Sequence, residues 1–296
     1  MSRVRPSLGR LYLLLSLVLL FWSFNYVVAK VALREFPPLL LVALRTALAA
    51  ALILPIYFWR KDPDSSAWTW RELRVLVPLG ACGVAGNQLL FVVGLSHTSV
   101  AHTGIVNALG PLLVLLIAAS IGQERLSPRK VIGMAIAFSG IVVLQLGRVP
   151  RSHATLLGDF YIFLSALCLA AFTVFGKSVS LRHRGITVNT VAYVSGALLL
   201  APVILWNRPQ FHYHAITALA WWCLLYMAAF SSVIAYLLYY HVLALMPASR
   251  VSSLLYLQPV VATLMAIPLL AEPVNSGLLF GGSLTLAGVY VTGRSG

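Results

Sequence analysis

Two stretches decide the fold: residues 110–144, GPLLVLLIAASIGQERLSPRKVIGMAIAFSGIVVL, and residues 258–292, QPVVATLMAIPLLAEPVNSGLLFGGSLTLAGVYVT. One offset of 148 lays Pro111 on Pro259, Glu124 on Glu272, Gly133 on Gly281 and Gly140 on Gly288. The apolar texture around these four matches is shared throughout. A second pair, FWSFNYVVAK (21–30) and LAAFTVFGK (169–177), ends on Lys30 and Lys177 at an offset of 147, the slip that a connector indel produces. The chain therefore reads as a duplication, with halves 1–150 and 151–296.

Working outward, each half holds five runs long enough to cross a bilayer core, which takes about 20 apolar residues. They cover roughly 11–33, 38–59, 74–95, 99–121, 129–147, 157–180, 187–206, 216–243, 248–270 and 276–293. Hydrophobic residues make up 60% of the chain, charged residues 9%, and the mean hydropathy is +0.92, a composition outside that of soluble domains. Five is odd, so the second half must enter the membrane in the opposite sense to the first. The expected fold is thus an all-α polytopic membrane protein of ten transmembrane helices, arranged as two inverted five-helix repeats.

Loop charge orients it. Alternate connectors carry fourteen Lys and Arg on the N-terminal side and four on the other, Arg34, Arg148, Arg151 and Arg208. The positive-inside rule then puts both termini in the cytoplasm. Trp59, Trp68 and Trp70 mark one interface, and Trp206, Trp221 and Trp222 the other. Helix starts are expected at Ser127-Pro128 and at Asn275 or Ser276. The first thirty residues have the basic start and apolar middle of a secretory signal, but the run 11–33 exceeds a signal core and favours a retained first span.

The net charge of +14 sits in short connectors between apolar spans, so it argues for membrane topology and against nucleic acid. Cys82, Cys168 and Cys223 fall inside apolar runs without ligand spacing; they suggest neither a disulfide framework nor a metal site, and read as small packing residues. No cofactor is implied.

The run Trp22 to Lys30, Arg45 in the second span, Pro111 in the fourth, the GQERLSP turn and the Gly133/Gly140 pair resemble one EamA domain. Ala171 to Lys177, Pro259, the AEP turn and Gly281/Gly288 resemble a second. The resemblance covers nearly the whole chain and is to the ten-helix EamA branch of the drug/metabolite transporter superfamily. It implies a polytopic inner-membrane carrier, often an exporter of amino acids or other small metabolites, working as a monomer or homodimer in the lipid bilayer. Two positions depart from the pattern: Ser23 stands where a glycine commonly follows the tryptophan, and Tyr193 occupies the repeat mate of Arg45.

Ionisable residues inside a membrane are costly and usually face a wet interior. Arg45 lies about 12 Å of helix rise into its span; substrate contact and bonding to backbone carbonyls both fit it. Thr103, Asn107 and Pro111 share one face of the fourth span, and Ser252, Tyr256 and Pro259 one stripe of the ninth, where paired helix breaks point to a transport site. Arg45, Asn107 and Tyr256 are expected to converge near the midplane, while Asn107 also fits a simple bond to a neighbouring helix. Trp22, Asn25, Asn87, Gln88, Thr173 and Gln258 extend the polar set. Lys30 and Lys177 should sit one at each mouth, as substrate or gate cations or as lysines snorkelling to headgroups. His102 and His241 are candidates for proton coupling, though each lies near a span end, where interfacial placement is the plainer role. Glu124 and Glu272, at helix ends, fit capping.

The expected function is a secondary transporter, an exporter or exchanger of small organic metabolites by alternating access. The alternatives are an intramembrane serine protease built on Ser96 and His97, or a channel or scaffold. The first lacks a nucleophile and base geometry, and no HExxH or Walker motif supports another catalyst.

Overall fold

A computed structural model of the chain describes residues 7–59, 70–98, 100–146, 155–180, 185–207, 213–270 and 276–294. The helices are α1 (Leu8–Ala32), α2 (Pro38–Trp59), α3 (Trp70–Gly80), α4 (Asn87–His97), α5 (Val100–Asn107), α6 (Gly110–Ser120), α7 (Pro128–Leu146) and α8 (Leu156–Ser180). They continue with α9 (Gly185–Asn207), α10 (Ala218–Tyr226), α11 (Ala235–Leu243), α12 (Ala248–Ser253), α13 (Leu257–Leu270) and α14 (Ser276–Gly293). Among the described residues there is no strand, and nine helical stretches are long and apolar enough to cross a membrane. The expected ninth passage, 248–270, is also helical, as α12, a 3-10 turn and α13, and is not among the nine. Leu198, Leu279 and Phe280 point outward and exposed, as side chains do when lipid is the solvent. Trp59, Trp70, Trp206 and Trp222 lie exposed at passage ends. Trp68 and Asn275 lie outside the described residues.

The inversion is visible where α7 meets α14. A Cβ added to Gly133 would meet the Gly288 carbonyl oxygen at 2.8 Å, and one on Gly140 the Gly281 oxygen at 2.7 Å. In reverse, Gly281 faces the Gly140 oxygen at 2.6 Å and Gly288 the Gly133 oxygen at 2.5 Å. Gly281 and Gly288 are the repeat mates of Gly133 and Gly140, so the contact is reciprocal, as across a two-fold axis. Rising numbers on α7 meet falling numbers on α14. The mates are therefore antiparallel, and one repeat is upside down relative to the other. Glycine is required here because a side chain at any of the four would strike backbone.

The halves interlock. α1 packs on α10, α11 and α13 of the second half, while α8 packs on α4 and α6 of the first. One apolar cluster accordingly draws Leu15, Ile53 and Val84 from one half and Phe172, Val188 and Val233 from the other. Connector contacts respect the expected alternation of faces. Glu124, Lys177 and Ser249 meet on the N-terminal face, whereas Glu35 reaches Thr217, and Thr98 reaches Asp159, on the opposite one.

Two kinds of irregularity recur at matching places. The third and eighth passages each contain a π-helical segment, Ala81–Gly86 and Met227–Ile234, ending at positions exactly one repeat offset apart. The fourth passage breaks between α5 and α6, just before Pro111, and the ninth tightens into a 3-10 turn, Leu254–Tyr256, just before Pro259. A proline has no N–H to give the preceding turn and crowds it, so the helix yields at that turn. Just past the end of α6, Gly122 has a φ of +72°, which favours glycine; the Gln123 N–H returns to the Ala118 carbonyl at 2.8 Å and turns Glu124 inward.

Candidate functional site

The polar centre forms around Arg45, where α2 lies against its repeat mate α9 and the second π segment. Its Nε donates to Ser232 Oγ at 2.8 Å. Tyr193, at the position equivalent to Arg45, and Tyr236 lie within its electrostatic reach. Tyr193 is 1% exposed, and its hydroxyl is close to Ser232 but outside hydrogen-bond geometry. Among the described residues no carboxylate pairs with Arg45. A half-buried arginine with one neutral partner and aromatic neighbours is a cation with donors to spare for an anionic group.

Trp22 closes one side. Its indole N–H donates to the Ser231 carbonyl at 2.9 Å, and its ring meets those of Tyr236 and Tyr239 at centroid distances of 5.1 and 5.3 Å. The wide turn of a π-helix frees carbonyls from the regular ladder, which suits Ser231 to accept a side-chain donor. Tyr239 lies beside the buried Thr173 of α8. One residue beyond Trp22, Ser23 Oγ donates to the Gln258 carbonyl at 3.2 Å, and Asn25 Oδ1 and Gln88 Oε1 are buried without a described partner. Asn87 instead joins Ser165, donating to its carbonyl and hydroxyl at 2.9 Å and accepting from that hydroxyl at 2.8 Å.

Trp22, Arg45 and, through Tyr239, Thr173 thus belong to one centre. Tyr256 belongs to another: it is 2% exposed, its hydroxyl has no described partner, and it packs with Ala108, Leu115 and Met134 beside the two helix breaks. Asn107 is half-buried at the end of α5, next to the same break. His241 is exposed in the last turn of α11. The side chains of Lys30, Ser96 and His102, and Glu272 as a whole, lie outside the described residues. Ser231, Ser232, Tyr236 and Tyr239 carry the centre yet were not singled out from sequence; the signal was the pair SS inside an apolar run, followed by tyrosines three and four residues apart.

A second cluster ties connectors together on the N-terminal face. Lys177 Nζ donates to the Met246 carbonyl at 2.6 Å, joining the end of α8 to the connector before α12. Glu124 accepts from Lys130 Nζ at 2.9 Å, from the Ser249 N–H at 3.0 Å and from the Ser249 hydroxyl. Gln123 adds a bond to Ser178 Oγ at 2.6 Å. Burial pushes the Glu124 carboxyl up, but the bonds from Ser249 and Lys130 outweigh it and leave the group below its ordinary value. On the other face, Glu35 accepts from the Thr217 N–H and hydroxyl, both at 2.7 Å; these bonds hold its carboxyl low. Across the interior, the Cys82 and Cys168 sulfurs approach to 3.0 Å as free thiols, linking the first π segment to α8. Among the described residues no cluster of His, Cys, Asp and Glu could hold a metal.

The model of the EamA-like transporter family matches residues 9–146 and again 156–294. A protein of Archaeoglobus fulgidus named an uncharacterized transporter is 30% identical over 288 residues, covering 96% of this chain and 98% of its own. One of Salmonella typhimurium named a probable amino-acid metabolite efflux pump is 26% identical over 283 residues, 93% of this chain and 92% of its own. A solved crystal structure of a protein, 22% identical, superposes with a TM-score of 0.81 over 96% of each chain and shares the fold. With the family pattern present twice and spanning nearly the whole sequence, this multi-pass membrane protein belongs to the EamA-like transporter family, whose members are transporters rather than enzymes.

Proposed function

We propose that the protein is a secondary carrier that exports or exchanges small zwitterionic metabolites of the amino-acid type by alternating access. The observation that carries this reading is Arg45: a cation between two inverted repeats, bonded to Ser232 and walled by Trp22, Tyr193 and Tyr236. A carboxylate meeting the guanidinium gains charge-assisted bonds, and an ammonium or apolar side chain gains contact with the aromatic faces. The Salmonella relative's name supports the same substrate class. Loop charge supports an inner-membrane carrier with cytoplasmic termini, the halves 1–150 and 151–296 rocking about the shared axis.

Lys177, Glu124 and Ser249 then form the cytoplasmic gate. In this reading Lys30, the repeat mate of Lys177, serves the external mouth, while Asn107 and Tyr256 sit at the breaks that bend, with Asn25 and Gln258 facing the pathway. With His241 exposed, exchange is favoured over a histidine proton relay. Counterflow in proteoliposomes tests the proposal. Internal unlabelled amino acid should accelerate saturable uptake of the labelled one without ATP, and Arg45→Gln should abolish it; flux that neither saturates nor responds to internal substrate would overturn it.

A further inference from the structure

Away from the polar centre, a cleft of about 290 Å³ opens on the N-terminal face between α1 and α14, floored by α12 and the 3-10 turn. Tyr12, Leu254 and Val289 give it apolar walls, while Arg250 and Arg294 stand at its rim, with no carboxylate among its lining residues. Arg250 is fixed by a bond from Nη2 to the Gly293 carbonyl, and Arg294 lies 4.5 Å above the Tyr290 ring. Tyr290 is 59% exposed and continues an outward stripe of α14 through Leu286 and Leu279. The cleft therefore joins two positioned guanidinium groups to a surface built for acyl chains.

Its repeat mate lacks this chemistry. At the first-span offset of 147 the position equivalent to Tyr12 is Asp159, and at 148 those of Arg250, Ser253, Tyr290 and Arg294 are His102, Ile105, Val142 and Leu146. Duplication supplied the cleft's position, but its two arginines and two tyrosines are confined to one face. That is the face whose connectors carry the positive charge, and basic pockets between helices on such a face bind anionic headgroups.

We propose that this cleft is a binding site for an anionic phospholipid, the phosphate held between Arg250 and Arg294 and one acyl chain lying along Leu254, Val289 and the α14 stripe. Two guanidinium forks match phosphate oxygens better than point charges do. Arg250 directly follows Ser249, the partner of Glu124, so the lipid also braces the half-helix that closes the N-terminal mouth. This site requires only the membrane-embedded fold; the carrier reading stands or falls separately.

The test is thermal unfolding of purified, delipidated full-length protein in detergent, titrated with phosphatidylglycerol, phosphatidylcholine or soluble glycerol phosphate. A ligand that binds the folded state raises its melting temperature. Phosphatidylglycerol should stabilise the wild type and the other two should not. Arg294→Gln, at an exposed position that leaves folding intact, should weaken the response about fivefold. Arg250→Lys keeps the charge but loses the fork and should weaken it too, whereas Arg125→Gln with Arg129→Gln, elsewhere on the same face, should not. Equal stabilisation by phosphatidylcholine, full stabilisation by glycerol phosphate, or an equal loss in the Arg125/Arg129 variant would each overturn the proposal.

Discussion

Arg45 and Glu124 are the two side chains whose chemistry can be tested singly. Arg45→Lys keeps a cation but loses the planar fork and the Nε bond to Ser232, so substrate affinity should fall by at least about tenfold, the size of a lost charged hydrogen bond. Binding isotherms on folded protein check this, and unchanged affinity would remove Arg45 from the site. Glu124→Gln leaves Ser249 and Lys130 without their anion, which should cost the closed mouth roughly 1.5–3 kcal/mol. The same contact sets a pH dependence. Because the folded carboxyl titrates below its ordinary value of 4.5, its stabilisation is complete above that value and lost as pH falls through the folded one. Accessibility of a cysteine placed at Met246, whose side chain is buried, should therefore rise as pH falls below that ordinary value in the wild type, and be already high and pH-independent in Glu124→Gln. Arg45 was legible in the sequence because an arginine deep in an apolar run is rare. Ser232 was not, since a serine inside such a run usually bonds its own backbone, and only the π turn aims this one at α2.

At the scale of elements, the α7–α14 seam and the π segments carry distinct expectations. Gly140→Leu forces a side chain into the Gly281 carbonyl and Thr285, and backbone cannot step aside as a flexible side chain can. Overpacking of this kind costs about 1–3 kcal/mol, so the melting temperature should drop, whereas Gly9→Leu, with open space around it, should be neutral. If the first π segment packs on α8 as described, copper-phenanthroline should join Cys82 to Cys168 within one chain; protease fragments that stay linked until reduction would register it. Breaks before Pro111 and Pro259 could be anticipated from the prolines alone. The π segments could not, because ACGVAG and MAAFSSVI hold nothing that forces an extra residue into the turn; the widened turns pack against α8, α9 and α1.

For the molecule as a whole, duplication and inversion followed from one offset and an odd number of spans, because hydropathy and repeated glycines are properties of the chain itself. What joins to what did not follow. Interlocking of α1 with α10, α11 and α13, and the meeting of Arg45 with its own repeat mate Tyr193, depend on how two similar surfaces dock. The central claim is that two mouths, related by the repeat, open in alternation. Spin-label distances measure this most directly: one pair at Leu126 and Leu245 on the N-terminal face, the other at His97 and Ser276 on the opposite one. In the Glu124→Gln, Lys177→Gln double variant the first distance should lengthen and the second shorten relative to wild type. Distances that move together, or a first mouth that opens while the second stays unchanged, would contradict alternating access in this protein.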